Sequence, residues 1–161
     1  MGTGVTVGAM TEKRVTESTT ILAPPEAVFA IIADPRQHSR IDGSGSVRAT
    51  TEGPERLSKG ASFAVSMKLF GLPYKISNRV VEFEENRLIA WRHFGGHRWR
   101  YELEPTDEGT LVTETFDYSR HGALSAAVIE GAQFPARNRH GIKETLVRLK
   151  SAAEADAALA G

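Results

Sequence analysis

The stretch from Arg137 to Leu159 reads as a long helix with one apolar stripe, and a stripe of that kind has to be buried. Ile142, Leu146, Leu149 and Ala153 recur at i, i+4, i+7 and i+11, which places them on one helical face. The middle of the chain has a different period. Short β-prone runs at about 46–52, 61–70, 74–84, 87–94, 97–104 and 110–119 are separated by turn signals. The breaks fall at Gly53-Pro54, Gly71-Leu72-Pro73, Glu85-Asn86, Gly95-Gly96 and Asp107-Glu108-Gly109. Regular short strands joined by tight turns predict an antiparallel meander. A sheet with one apolar face needs a cover, and the striped helix has no other partner. The physical solution is a curved sheet wrapped around the last helix, and such wrapping leaves space wherever the lining side chains do not fill it.

The N-terminal third completes the element order. Val15 to Leu22 is rich in Thr and β-branched residues and predicts a strand. In the following APPEAVFAIIADP, Pro24 and Pro25 suit a helix entrance, Glu26 favours the first turn, and Asp34-Pro35 ends the helix. Val28, Ile31 and Ile32 form its stripe, and a second helical turn follows through His38 to Ile41. The expected fold class is therefore α+β: about seven antiparallel strands, two short helices after the first strand, and the long C-terminal helix. Residues 1–12 read as a flexible leader and residues 13–161 as one domain.

Composition removes several function classes. Twenty basic residues balance 20 acidic ones, so there is no general electrostatic footprint for nucleic acid. The chain has no cysteine, which rules out disulfides, thiolate metal sites and cysteine nucleophiles. No apolar run approaches the ~20 residues that span a bilayer, so no transmembrane segment is expected. The opening MGTGVTVGAMTEKR has no charged n-region followed by an apolar h-region and does not read as a signal peptide. A cytoplasmic location is the resulting expectation. Gly43-Ser44-Gly45 is too short for a phosphate-binding fingerprint and opens no helix, and no G-x-S-x-G occurs. No cofactor is expected. No metal is expected either, because His93 and His97 approach across a hairpin without a third ligand at a suitable spacing.

The strand pattern says which side chains face the helix. Phe63, Val65, Met67 and Leu69 alternate onto one face. Ile76, Asn78 and Val80 share a face and then Val81 and Phe83 do, a phase slip that predicts a bulge near Val80-Val81. LIAWRHFGGHRWRYEL, residues 88–103, holds both tryptophans around Gly95-Gly96. A two-residue turn would put Trp91 and Trp99 on opposite faces. A three-residue loop, Phe94-Gly95-Gly96 with Gly96 left-handed, pairs Trp91 with Trp99 and His93 with His97. That register gathers Ile89, Trp91, His93, His97, Trp99, Tyr101 and Leu103 on one face and Arg92, Arg98, Arg100, Glu102 and Glu104 on the other, so it is the expected one. On the last strand Val112, Glu114, Phe116 and Tyr118 share a face. Glu114 is the odd member, since a carboxyl on an apolar row must be paired, protonated or at a wet opening.

Several stretches together carry a resemblance: PPEAVFAIIADP after a first strand, KGASF opening a strand, NRVVEFEENRLIAWR, WRYELEPTDEGTLVTETFD, and GIKETLVRLKSAAE near the end. In order and spacing, over roughly residues 14 to 155, the chain resembles the bacterial polyketide cyclase/dehydrase and lipid-transport proteins. These are SRPBCC proteins of the START-like, Bet v 1-like superfamily. The resemblance implies a helix-grip fold with a hydrophobic cavity between sheet and last helix. It carries over no catalytic set, because functions in the superfamily range from ligand carriage to aromatase/cyclase chemistry.

Two readings stand for each singled-out residue. Trp91, Trp99 and Tyr101 are either packed core or cavity wall. His93 and His97 are either solvated at a hairpin tip or a proton-transfer pair at a cavity mouth. Glu114 is either ion-paired, with Arg139 or a histidine as the cation, or an acid whose burial raises its pKa. Asn78 either orients a ligand or satisfies a backbone group. HGALSAAVIEGAQFP, in the segment 120–135, is a short core helix, a lid or an interaction surface. The leading expectation is a protein that binds or carries a small hydrophobic or amphipathic ligand of fatty-acyl, polyketide or isoprenoid class. Its lining would comprise Phe63, Val65, Met67, Ile76, Asn78, Trp91, His93, His97, Trp99, Tyr101, Glu114, Phe116, Asn138, Arg139 and Ile142. The alternative is an aromatase/cyclase or dehydratase-type enzyme with Glu114, His93 and His97 as candidate catalytic residues. The expected partners are that small ligand and, at most, a second copy of the chain, as monomer or homodimer.

Overall fold

The computed structural model describes residues 13–45, 47–69, 71–93, 97–119 and 134–161. The expected leader, residues 1–12, lies outside them, as do Gly96 and most of the apolar segment 120–135. The elements in chain order are β1 (Arg14–Ile21), α1 (Pro25–Ile32), a 3-10 turn (Pro35–Gln37), α2 (His38–Ile41), β2 (Val47–Glu52), β3 (Ser62–Leu69), β4 (Leu72–Glu84), β5 (Leu88–His93), β6 (Arg98–Pro105), β7 (Thr110–Asp117) and α3 (Phe134–Ala160). The strands form one antiparallel sheet in the order β1-β7-β6-β5-β4-β3-β2, so β1 closes onto β7 while β2 to β7 run as a meander.

Local chemistry sets the boundaries. Pro25 sits in the first turn of α1, where no backbone N–H is needed, and Glu26 meets the positive end of the helix dipole. Asp34 caps the 3-10 turn by accepting from the Arg36 N–H at 3.0 Å. The β3–β4 connection is tighter than the Gly71-Leu72-Pro73 break predicts. Leu69 pairs with Leu72 and Lys68 with Pro73, so both residues after Gly71 belong to β4. The reason is Gly71 itself, whose φ of +80° suits a tight reversal. The expected bulge is present. Val80 pairs with Trp91 but Glu82 pairs with Ala90, leaving Val81 extra. The inserted residue turns Glu82 outward to Arg98 and Arg100 and lets Phe83 meet Phe29 of α1 edge-on at 5.6 Å. Helix α3 begins at Phe134, three residues before the expected start at Arg137.

The core lies between the sheet's concave face and the helices. Val28, Phe29, Ile31 and Ile32 of α1 are buried together with Ile21, Ile89, Leu103 and Val112 of the sheet. Helix α3 buries Ile142, Leu146, Leu149 and Ala153, while Lys143 and Arg148 stay exposed. Polar ties fix its lower half. Glu154 accepts from the Leu22 N–H at 2.9 Å, Lys150 donates to the Thr20 carbonyl at 3.0 Å, and Arg40 of α2 grips Asp156 through two nitrogens at 3.0 and 2.8 Å. Higher up, the Gly43 N–H donates to Thr145 Oγ1 at 2.8 Å, an approach so close that a Cβ on Gly43 would lie 2.3 Å from the Thr145 nitrogen. Among the described residues no helix is long and apolar enough to cross a membrane.

Leu146 tests the grip. Leu146→Ala should cost about 2–5 kcal/mol in urea unfolding, and Leu146→Asp should cost more by leaving a charge without a partner in the core. An unchanged unfolding midpoint for Leu146→Asp would mean that α3 does not seat in the sheet.

Candidate functional site

The sheet register sorts side chains into rows across the concave face. In one row Trp91 pairs with Val80 on one side and Trp99 on the other, and Trp99 pairs with Phe116. The two indoles thus share a face, as the three-residue loop requires. In the next row Tyr101 lies between Ile89 and Glu114, and Glu114 faces Glu17 of β1. Further toward β2, Phe63 pairs with Asn78, and Asn78 with His93. Directly opposed residues in an antiparallel pair point to the same face, which is why Phe63, Asn78, Trp91, Trp99, Tyr101, Glu114 and Phe116 converge.

They converge on a cavity of about 650 Å³ between the sheet and the first half of α3. Thirteen of the 15 residues expected to line such a space are on its wall: Phe63, Val65, Met67, Ile76, Asn78, Trp91, His97, Trp99, Tyr101, Glu114, Phe116, Asn138 and Ile142. Arg139 is not. Its guanidinium turns to Glu17, 3.5 Å away, and Lys143 approaches the same carboxylate at 3.9 Å. The expected pairing of Arg139 with Glu114 is therefore corrected, because the cross-strand neighbour Glu17 sits nearer the helix surface and takes both cations. His93 ends β5, and its side chain lies outside the described residues.

The wall is mainly aromatic and aliphatic. Trp91 meets Phe63 edge-on at 5.5 Å and leans on Tyr101 at 5.6 Å, and Phe116 packs against Trp99 at 4.7 Å and the His97 ring at 5.1 Å. Both indoles remain partly exposed, so they are wall rather than sealed core. Against this wall stands Glu114, only 3% exposed. The Tyr101 hydroxyl donates to its Oε1 at 2.8 Å, and Oε2 is buried without a partner. Burial pushes the Glu114 carboxyl up to about 8. The Tyr101 hydrogen bond opposes that rise and the Asp42 carboxylate adds to it. At neutral pH Glu114 is thus a neutral acid that keeps its proton. Burial, and then Glu114, also drive the Tyr101 hydroxyl well above its ordinary value.

Sequence patterning misses His38, Asp42, Tyr74, Arg137, His140 and Thr145, which also line the cavity. His38 stacks on Trp91 with ring centroids 4.9 Å apart, and its Nε2 lies 2.8 Å from the Ile32 carbonyl. A carbonyl only accepts, so Nε2 carries the proton. Burial lowers the pKa of His38 and keeps the ring neutral. A four-residue helix has too little periodicity to show which way His38 points. Thr145 did carry a signal, since it falls three residues after Ile142 on the apolar stripe. Among the described residues no three His, Asp or Glu side chains gather closely enough to hold a metal ion.

Glu114 gives stability a pH dependence with a definite sign. The unfolded chain releases this proton near 4.5, whereas the folded protein keeps it to about 8. Between these values the unfolded state binds fewer protons, so stability falls as pH rises, by up to about 1.4 kcal/mol per pH unit. The penalty is absent below the lower value and constant above the upper one. Glu114→Gln should remove it, so the variant's advantage in urea unfolding should widen across this window. Parallel pH curves for the two proteins would show that the carboxyl is not buried as described.

Known proteins resemble this chain in sequence or in fold. The uncharacterized protein Rv0088 of Mycobacterium tuberculosis is 45% identical over 139 residues, which is 84% of this chain and 62% of that protein. The chain thus spans less than two thirds of the length of this curated relative. The crystal structure of protein NE0264 from Nitrosomonas europaea superposes with a TM-score of 0.69 at 16% identity, covering 91% of this chain and 97% of that one. The solution structure of the AHSA1-like protein from Aeromonas hydrophila gives 0.65 at 21% identity, covering 89% and 93%. At such identities these structures speak for the helix-grip fold alone. The sequence itself matches the family described as polyketide cyclase / dehydrase and lipid transport over residues 12–154, and the chain belongs to that family.

Proposed function

We propose that this protein binds a small hydrophobic or amphipathic ligand, of lipid, polyketide or isoprenoid class, in the cavity between the sheet and α3. The observation that carries the reading is the cavity itself: about 650 Å³, walled by Phe63, Trp91, Trp99 and Phe116, with a few buried polar groups set into the apolar surface. Sites for small molecules share this volume range and this mixture, in which apolar area supplies affinity and a few polar atoms fix orientation. Trp91 and Trp99 on the wall make binding readable by their own fluorescence.

A second reading rests on Glu114 and Tyr101. A carboxyl that keeps its proton to about 8 beside a buried phenol matches what general acid–base chemistry near neutral pH asks of its groups. In that reading the cavity fixes the fold of a carbonyl-rich chain while Glu114 moves protons on it.

Titration with the uncharged fluorophore N-phenyl-1-naphthylamine, together with native mass spectrometry of the freshly purified protein, tests the binding reading. Saturable binding is expected, and Ile76→Trp, which fills part of the cavity, should weaken it by about tenfold or more while the unfolding midpoint is kept. A probe that binds the filled variant equally well would place binding elsewhere. Glu114→Gln separates the two readings. Lost turnover with retained binding favours the enzyme, and a changed ligand preference without any turnover in either protein favours the binder.

A further inference from the structure

The polar groups of the cavity constrain the chemistry of its occupant beyond its being apolar. Five side chains with polar groups on the wall are more than nine-tenths buried: His38, Asn78, Tyr101, Glu114 and Thr145. None is a cation. His38 is neutral and spends its Nε2–H on the Ile32 carbonyl. Thr145 Oγ1 receives the Gly43 N–H. Asn78 brings an amide, and Glu114 brings a carboxyl whose Oε1 is occupied by Tyr101 and whose Oε2 has no partner. Asp42 also lines the cavity. Its carboxylate is held in place by the Ser44 N–H at 3.1 Å, the Ser44 hydroxyl at 2.7 Å and the Val47 N–H at 3.0 Å. Two helix cations on this side of the sheet, Arg139 and Lys143, are directed to Glu17. Arg137 and His140 line the cavity from exposed positions at the start of α3.

We infer that the inner wall of this cavity recognises a neutral oxygen acceptor, a ketone or ester carbonyl, and excludes a carboxylate at the same place. The inference rests on the reading of the cavity as a ligand site. Its physical basis is satisfaction of buried groups. A neutral carboxyl that accepts from Tyr101 through one oxygen carries its proton on the other, and an O–H buried without a partner is costly. Oε2 is closed off from the cavity as it stands, so the carboxyl turns toward a ligand carbonyl to gain the missing acceptor, and the Asn78 amide offers a second donor. A ligand carboxylate would instead meet two carboxyl groups with no buried cation, and would pay the full desolvation of an unpaired charge. A fatty acid lying the other way, with its head near Arg137 and its tail inward, would leave the Glu114 O–H against methylene groups. Among the described residues, the titratable and charged groups disposed around Glu114 are Tyr101 of β6, Glu17 of β1 with Arg139 and Lys143 of α3, His38 and Asp42 at the α2 end, His97 beside Phe116, Tyr74 of β4, and Arg137 and His140 of α3.

The test is competition of decan-2-one and decanoate, which have equal chain lengths, against N-phenyl-1-naphthylamine on the intact chain. At neutral pH the ketone should displace the probe at about tenfold lower concentration or better. Any apolar wall disfavours a charge, so dependence of this gap on Glu114 is the diagnostic result. Glu114→Gln keeps an N–H donor but cannot ionise, and should narrow the gap by admitting decanoate. Ketone affinity should fall several-fold as pH rises past the Glu114 transition in the wild type and stay level in the variant. Equal displacement by the two ligands, or a gap and pH profile untouched by Glu114→Gln, would overturn the inference while leaving the cavity a binding site. Failure of the probe to bind at all would overturn both.

Discussion

The structure depends on how helix α3 seats in the curved sheet, close along one half and standing off along the other. Leu146, Leu149, Ala152 and Ala153 press into the concave face against β1 and α1 with almost no exposed surface. Alanines allow the close approach, and ties to Leu22, Thr20 and Arg40 hold it in place. Toward its start the helix instead presents Arg137, Asn138, His140, Gly141 and Ile142 to open space. The same stripe that closes the core at one end therefore roofs a cavity at the other. Close packing is the rule in protein interiors, and a cavity of this size beside a well-packed core departs from it.

Within that space Glu114 is the group that stability alone would not keep. It sits in a row of apolar and aromatic side chains, has one hydrogen-bond partner, and leaves one oxygen unsatisfied. An apolar residue of similar size would pack there at lower cost. Burial keeps it neutral, and two arrangements leave it without an ion-pair partner. Glu17 lies directly across on β1 and takes Arg139 and Lys143, and Asp42 adds a negative field from the far side. The result is a proton donor inside an apolar chamber, which either a binding site or a proton-transfer site could use.

The aromatic hairpin shows how firmly strand period can be read. Pairing Trp91 with Trp99 follows from sorting arginines and glutamates away from aromatics, because a one-residue slip would have exchanged the two faces. The bulge at Val81 was readable for the same reason, since the inward set changes phase there. The connection between β3 and β4 was read as longer than it is, because a proline near a glycine looks like a loop when the edge pairing that accommodates Pro73 is not known.

By itself the sequence determined the element order, the faces of the strands, the stripe of α3 and the anomaly of Glu114. Each of these follows from local period and from the cost of burying polar atoms, which act over a few residues. Only the tertiary structure decided which groups meet across the cavity. His38 and Asp42 lie more than 70 residues from Glu114 in the chain and reach the same chamber because Gly43 lets their loop touch Thr145 on α3. Arg139, between the wall residues Asn138 and His140, faces Glu17 instead, because that carboxylate on β1 lies within reach of its guanidinium. The ionisation of Glu114 was likewise decided in three dimensions, by burial, one tyrosine and the diversion of two cations to a neighbouring strand. No local pattern encodes such distances, because they depend on the curvature of the sheet and the angle at which the helix crosses it.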